Sequence, residues 1–165
     1  FDAVVLAAHA DESLKLLADP TPDERRLLGP WSYSTNHTVL HTDARVMPSN
    51  RRAWASWNYV ERPRTKVTSP VAVTYHMNRL QNLRAQQDYF VTLNDSAGIA
   101  PDKIIREFIY HHPSYTFASL ATQRELPSLN GVRNTYFCGS YFGYGFHEDA
   151  VRSAVAVAEA LGAAL

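Results

Sequence analysis

Residues 139 to 161, GSYFGYGFHEDAVRSAVAVAEAL, join three glycines and four aromatic residues to a run of small residues with two acids at its mouth. A helix starting near residue 147 would present unpaired N–H groups and a partial positive charge, enough to hold an anion or a polar carbonyl edge. Gly139, Gly143 and Gly145 would admit a ligand close to the backbone, and Tyr141, Phe142, Tyr144 and Phe146 could wall a flat ring. The same pattern also describes an ordinary strand-to-helix connection, capped by Glu148 or Asp149, with its aromatics in the local core.

Other residues offer different chemistry. In VVLAAHADES, His9 and Glu12 could ligate a metal with Asp11 as a base and a third ligand from His41, His111 or His112. That stretch is similar to the A-H-P-D-D-E motif of zinc-dependent amidase-type deacetylases. It departs at Ala10, Glu12 and Ser13, and a solvated loop after a strand accounts for it without metal, so no metal site is assigned. His37, His41 and His76 fall in candidate strands, where a hydrogen-bonded structural imidazole is the commoner role. His111 and His112 are strand neighbours and point to opposite faces. Cys138 sits in an apolar stretch as a buried thiol. No G-x-S-x-G elbow or phosphate-binding loop is present. In RAWASWNY, alternation places Trp57 and Tyr59 on one face, as core or as a cavity wall for an apolar molecule.

The elements that must position these residues follow from the periodicity. FDAVVLAA reads as a strand buried on both faces, and His9-Ala-Asp-Glu-Ser opens a short helix capped by Asp11 or Ser13. A second short helix follows Pro22 and stops at Gly29-Pro30. WSYSTNHTVLHTD, WASWNYVER, VAVTYHMNRL, DYFVTLN and IIREFIYHHP are rich in aromatic and β-branched residues and read as strands. YTFASLATQRELPSL reads as a helix ending near Pro127, TYFCG as a short buried strand, and Ala150 to Leu165 as a largely buried helix with Val151, Ala154, Val155, Ala158 and Leu161 at helical spacing. The expected fold is mixed α+β and α/β: a mixed or antiparallel sheet with helices, flanked by a partial α/β unit.

Taken whole, 165 residues with 45% apolar composition suit a single-domain core, and sixteen basic residues balance sixteen acidic ones. That balance argues against a nucleic-acid partner. One cysteine and no apolar run long enough to span a membrane lead to the expectation of a cytoplasmic chain without a transmembrane segment. A central strand as the first element, beginning at Phe1 without methionine, leads to the expectation of a piece of something longer.

TYFCGSYFGYGFHEDAVRSAVAVAEAL resembles the carboxy-terminal flavin-binding segment of the FAD-dependent amine-oxidase, protoporphyrinogen-oxidase and phytoene-desaturase superfamily. FDAVVLAAHADESLKLL resembles that family's D-x-V-V-x-A strand and short helix, and TDARVMP, RAWASWNY and HPSYTFASLATQRELPSLNG are similar to its bacterial NAD/FAD-binding amine-oxidase relatives. The resemblance implies a partial FAD-binding unit at 1–19 and 132–165 and a substrate domain at 20–131. It implies that Gly139 approaches the cofactor's ribityl and pyrophosphate region, with Phe146, His147 and Glu148 at the pyrimidine edge. Ala7, Ala8, Ser140 and Tyr141, with Gly145, Asp149 and Ala150, complete the implied FAD contacts, and Phe146 joins Trp57 and Tyr59 facing a small-molecule amine or lipid-like substrate.

The implied activity is hydride transfer from an amine or apolar carbon chain to flavin, by an oxidoreductase of which this chain alone would be an inactive fragment. Asp149 stands where many relatives have glycine, Phe146 lacks a tyrosine hydroxyl, and none of Lys15, Lys66 and Lys103 matches the flavin-side lysine of some relatives, so no catalytic residue is assigned. No G-x-G-x-x-G follows a strand here, and the resemblance implies that the dinucleotide cradle belongs to an upstream portion with which this one would associate. The other class of reading is a non-catalytic binding or assembly module that self-associates through a sheet edge.

Overall fold

The computed structural model describes residues 1–59 and 71–163, so Lys66 and the final two residues of the expected last helix lie outside the described part. Its α+β architecture is the one expected. Among the described residues seven strands, β1 (Val4–Leu6), β2 (Ser32–His41), β3 (Trp57–Tyr59), β4 (Val73–His76), β5 (Phe90–Leu93), β6 (Ile104–Ser114) and β7 (Thr135–Phe137), form two sheets. Five α-helices accompany them among the described residues: α1 (Ala10–Leu16), α2 (Pro22–Leu28), α3 (Met77–Leu80), α4 (Phe117–Gln123) and α5 (His147–Ala160). The chain divides into two compact units, one of residues 1–34 and 113–165 and the other of residues 35–112. The segments 20–34 and 113–131 thus fall in the same unit as the two ends of the chain. None of the described helices is long and apolar enough to cross a membrane.

In the first unit β1 and β7 pair in parallel, Val4 with Thr135, Val5 with Tyr136 and Leu6 with Phe137. Beneath them a core of Leu27, Leu28, Trp31, Leu126, Leu129, Phe137 and Tyr141 is closed to solvent. Thr21 and Glu24 form a reciprocal cap at the start of α2, with Pro22 in its first turn, as the Thr-Pro-Asp-Glu sequence requires. The start of α1 differs from expectation. Neither Asp11 nor Ser13 caps it; His9 is the N-cap residue, and the Ala10 N–H donates to the Tyr33 hydroxyl (2.9 Å) while the Tyr33 ring stacks on His9 at 4.1 Å. Burial pushes the Tyr33 phenol up to about 12, which keeps it neutral in that role.

Two further expectations are corrected. Val4 and Val5 are 47% and 43% exposed, because the described part of this sheet has only two strands and leaves β1 without a second neighbour. α5 buries Asp149, Ser153 and Val157 while Val151 and Leu161 are exposed, so it is half-open and not largely buried. The expected helix from Tyr115 to Leu129 is also two pieces: α4 ends at Gln123, and a 3₁₀ turn covers Leu126–Leu129, since Pro127 has no N–H with which to continue an α-helix.

The second sheet has the order β3-β4-β5-β2-β6, with β3–β4, β4–β5 and β2–β5 antiparallel. Asn58, Thr74, His76, Phe90, Thr92, Val39 and His41 share one face by register, over a core of Val39, Val46, Met47, Trp54, Phe90 and Ile99. Polar groups on this buried face are paired in series: His41 Nε2 bonds Thr92 Oγ1 (2.8 Å), and Thr92 Oγ1 bonds Thr74 Oγ1 (2.8 Å). His41 Nδ1 accepts the Asp43 N–H (3.1 Å), so the proton of the neutral ring sits on Nε2. The Asp43 carboxylate is itself held well below the usual range, first by hydrogen bonds from the Arg45 guanidinium.

Burial holds His41 below its ordinary value of 6.5, because a charged ring would lose its hydration and the Asp43 N–H bond. The unfolded chain therefore binds the proton first as pH falls. The His41 contribution to stability is complete above about pH 6.5 and is lost as pH drops towards the depressed folded value. Urea midpoints measured between pH 7.5 and 5 should fall with acid, and His41→Gln should remove that part of the slope; a midpoint flat over this range in the unsubstituted protein would contradict the assignment.

Candidate functional site

The parallel strands β1 and β7 end side by side, and the chain leaves them through Ala7-Ala8 and Cys138-Gly139. The Cys138 N–H still donates to the Leu6 carbonyl (3.2 Å), and Gly139 lies against the Ala8 carbonyl. Both strands then lead into helices, α1 shortly after β1 and α5 after the loop of residues 138–146, and Ser153 of α5 meets Gly139 at the carboxyl edge of the ribbon. In open α/β sheets that edge is where ligands bind.

The loop between β7 and α5 is held from three sides. Ser153, on α5, accepts the Gly139 N–H (2.9 Å). Gln123, at the end of α4, donates to the carbonyls of Tyr141 (3.0 Å) and Gly143 (2.6 Å), and the Tyr115 hydroxyl donates to Gly143 O (3.1 Å). Asp149, only 5% exposed, accepts the N–H groups of Tyr144 (2.9 Å) and Phe146 (3.1 Å) through Oδ2 and the Arg152 guanidinium through Oδ1 (2.6 Å). Asp149 is thus the cap that turns the chain into α5.

The glycines serve this loop. A Cβ on Gly139 would stand 2.6 Å from the Tyr141 ring, one on Gly143 would run into the Asp149 carboxylate, and one on Gly145 would stand 2.8 Å from the Tyr115 hydroxyl. Gly145 also has φ +91°, a left-handed conformation that side chains disfavour. Tyr141 is a core residue packed on Trp31 and Phe142. Its buried hydroxyl lies near Ser13, and neither Oγ of Ser13 nor the phenol oxygen makes a hydrogen bond of good geometry. Cys138 is buried, and burial raises its thiol, so it is not poised as a nucleophile.

The open part of the site is the helix mouth. Among the described residues the N–H groups of His147 and Glu148 have no partner, both residues are exposed, and Phe146 is 70% exposed beside the exposed Tyr144. Ala7 is exposed, while Ala8, Ser140 and Ala150 are half-buried. As a holder for a flavin, this set fits an edge: two free donors, an apolar ring and exposed backbone. It does not fit a phosphate cradle, because the space before each glycine is filled by a protein side chain.

In the second unit Trp57 and Tyr59 are exposed on one face of β3, and Tyr75 is the cross-strand partner of Trp57 on that face. Among the described residues no three His, Cys, Asp or Glu side chains gather as a metal site. His9 lies 3.6 Å from Glu12, and His41 is spent on Thr92 and Asp43. Tyr33, Tyr115, Gln123 and Ser153 shape the site without having been singled out for it; their roles are hydrogen bonds to backbone far along the chain, for which local sequence carries no signal.

Because the Gly143 clash and the Asp149 cap share one space, the two positions should be coupled. Gly143→Ala is expected to cost about 1–3 kcal/mol in denaturant titration, and less when made in an Asp149→Ala background. Equal costs in both backgrounds would separate the glycine from the carboxylate.

No protein-family model and no curated protein matches the chain. Solved structures do share its fold. The CLA-producing fatty acid isomerase from P. acnes aligns over 98% of this chain with a TM-score of 0.60 at 16% identity. A candidate protoporphyrinogen oxidase from Exiguobacterium sp. 255-15 aligns over 97% with a TM-score of 0.55 at 14% identity. This chain spans 42% of the first protein and 41% of the second, and at these identities the likeness is one of fold.

Proposed function

We propose that this chain is the carboxy-terminal part of an FAD-dependent oxidoreductase, of the amine-oxidase, protoporphyrinogen-oxidase and phytoene-desaturase kind, working in the cytoplasm on an amine or an apolar carbon chain. The observation that carries the reading is the helix mouth: free N–H groups of His147 and Glu148 at the start of the helix that the parallel strand pair feeds through the Gly139–Phe146 loop. The fold likeness supports it, since it covers nearly the whole chain and one of the similar structures bears a name from the family that the closing motif resembles.

When bound, flavin supplies the hydride acceptor. The chain's own residues bind and orient. The His147 and Glu148 N–H groups hold a carbonyl or anionic edge, favoured there by the helix dipole. Ala7, Ala8, Gly139, Ser140 and Ala150 supply backbone or small side chains along that edge, and Phe146 offers its ring on the substrate side. Asp149, Tyr141 and Gly145 act indirectly, by shaping the loop. On this reading residues 1–19 and 132–165 serve the flavin, and the sheet within 20–131 serves the substrate through the exposed face of Trp57 and Tyr59, an apolar wall suited to an apolar molecule.

The exposed valines of β1 and the open side of α5 are the surfaces an upstream dinucleotide-binding portion would cover. A second reading, an assembly module, draws on β6: a strand of eleven residues at the edge of the sheet among the described residues, with Ile105, Ile109 and Tyr110 exposed. Concentration-dependent self-association without flavin would favour it.

Visible absorbance of the purified chain, with and without added FAD and again with the encoded upstream region joined, tests the first reading. Flavin bands are expected only with the upstream region; none in either form would overturn it. In that longer protein, Trp57→Ala and Tyr59→Ala should lower turnover at least about tenfold with flavin content unchanged, whereas unaltered kinetics would remove this face from the substrate wall.

A further inference from the structure

A cavity of about 240 Å³ opens at the other end of β7, beside Thr135, and is lined by Leu17, Ala18, Asp19, Glu24 and Arg133. It lies wholly within the unit of residues 1–34 and 113–165 and is distinct from the helix mouth, which follows Phe137. Its volume is below the roughly 300–1,000 Å³ of sites that hold drug-sized ligands, so it suits a small metabolite rather than a dinucleotide.

Two charged side chains in its wall have unused hydrogen-bonding capacity. Glu24 is only 4% exposed; Oε2 accepts the Thr21 N–H (2.6 Å), and Oε1 has no hydrogen bond among the described residues. Oε1 is not sealed from solvent, so a donor entering the cavity can reach it. Arg133 is held in place by donating from Nη1 to the Asp19 carbonyl (3.0 Å), with the Asp19 carboxylate 3.5 Å away, which leaves Nε and Nη2 without hydrogen bonds among the described residues. The wall therefore offers an acceptor at Glu24, a planar pair of donors at Arg133, and aliphatic surface at Leu17 and Ala18. Two acids against one base favour a ligand that carries a cation, and the guanidinium fork favours one that also carries a carboxylate.

We propose that this cavity binds a small zwitterion of the free amino-acid type, its ammonium on Glu24 Oε1, its carboxylate on the Arg133 guanidinium and its side chain against Leu17 and Ala18. Nothing in this assignment depends on flavin.

Isothermal titration of the chain with L-alanine and L-leucine, and with n-butylamine and acetate as half-ligands, tests it. The amino acids should bind saturably and each half-ligand at least about tenfold more weakly, since each engages only one of the two charged groups. Glu24→Gln keeps an oxygen for the Thr21 N–H, and should weaken binding by a similar factor. Arg133→Gly should abolish binding without lowering the thermal midpoint, because Arg133 has φ +54° and glycine adopts that conformation freely. Absence of saturable binding of either amino acid up to about 10 mM, equal affinity for n-butylamine, or affinity unchanged in both variants would overturn the proposal.

Discussion

A parallel ribbon of two three-residue strands cannot hold itself together in water. Yet that ribbon is what brings Ala7-Ala8 against Cys138-Gly139 and so creates the edge on which the candidate site stands. Its stability is borrowed from below, where Phe137 reaches a core built by α2, the 3₁₀ turn at Leu126–Leu129 and the indole of Trp31. Trp31 is fixed further by a hydrogen bond from its ring N–H to Thr122 (3.1 Å), which ties α4 to the same core. Tyr33 then takes up the first N–H of α1, so a residue of the long strand β2 seats the helix that leaves β1.

On the other side of the edge a buried carboxylate does the equivalent work. Asp149 is nearly out of water, and the two loop N–H groups and the Arg152 guanidinium that face it compensate for its lost hydration. The glycines are needed because that carboxylate, the Tyr141 ring and the Tyr115 hydroxyl already fill the space in front of them. What stays open after this internal packing is the first turn of α5, and the functional reading rests on those remaining donors.

Much of this was legible in the sequence, for reasons that can be located. The aromatic and β-branched runs became β2, β4, β5, β6 and β7, except that the run read as one strand from Val71 to Leu80 is strand only to His76 and continues as α3, and Thr21-Pro22-Asp23-Glu24 marked the start of α2 because its capping chemistry is local. The face of α5 was not legible. Its apolar spacing pointed to Val151, Ala154, Val155, Ala158 and Leu161, whereas the structure buries Asp149 and Ser153, whose side chains serve loop backbone. Hydropathy counts such residues as solvent-facing and cannot register a polar side chain whose partner is a main-chain N–H. The bonds from Gln123 to Tyr141 and Gly143, and from Tyr33 to Ala10, span 18 to 23 residues and leave no periodic trace.

The unit that carries the candidate site is assembled from two stretches of chain with residues 35–112 between them. On the ribosome, where synthesis runs at about 5–20 residues per second, β1 emerges several seconds before β7 exists to pair with it. The intervening unit is continuous in sequence and can begin to fold in that interval, while α1, α2 and the Trp31 side chain wait without most of their core. Any factor that shields nascent apolar segments would have its longest task at Leu27, Leu28 and Trp31, which are buried in the finished protein and lack their Leu126, Leu129 and Phe137 partners until the last quarter of the chain has been made.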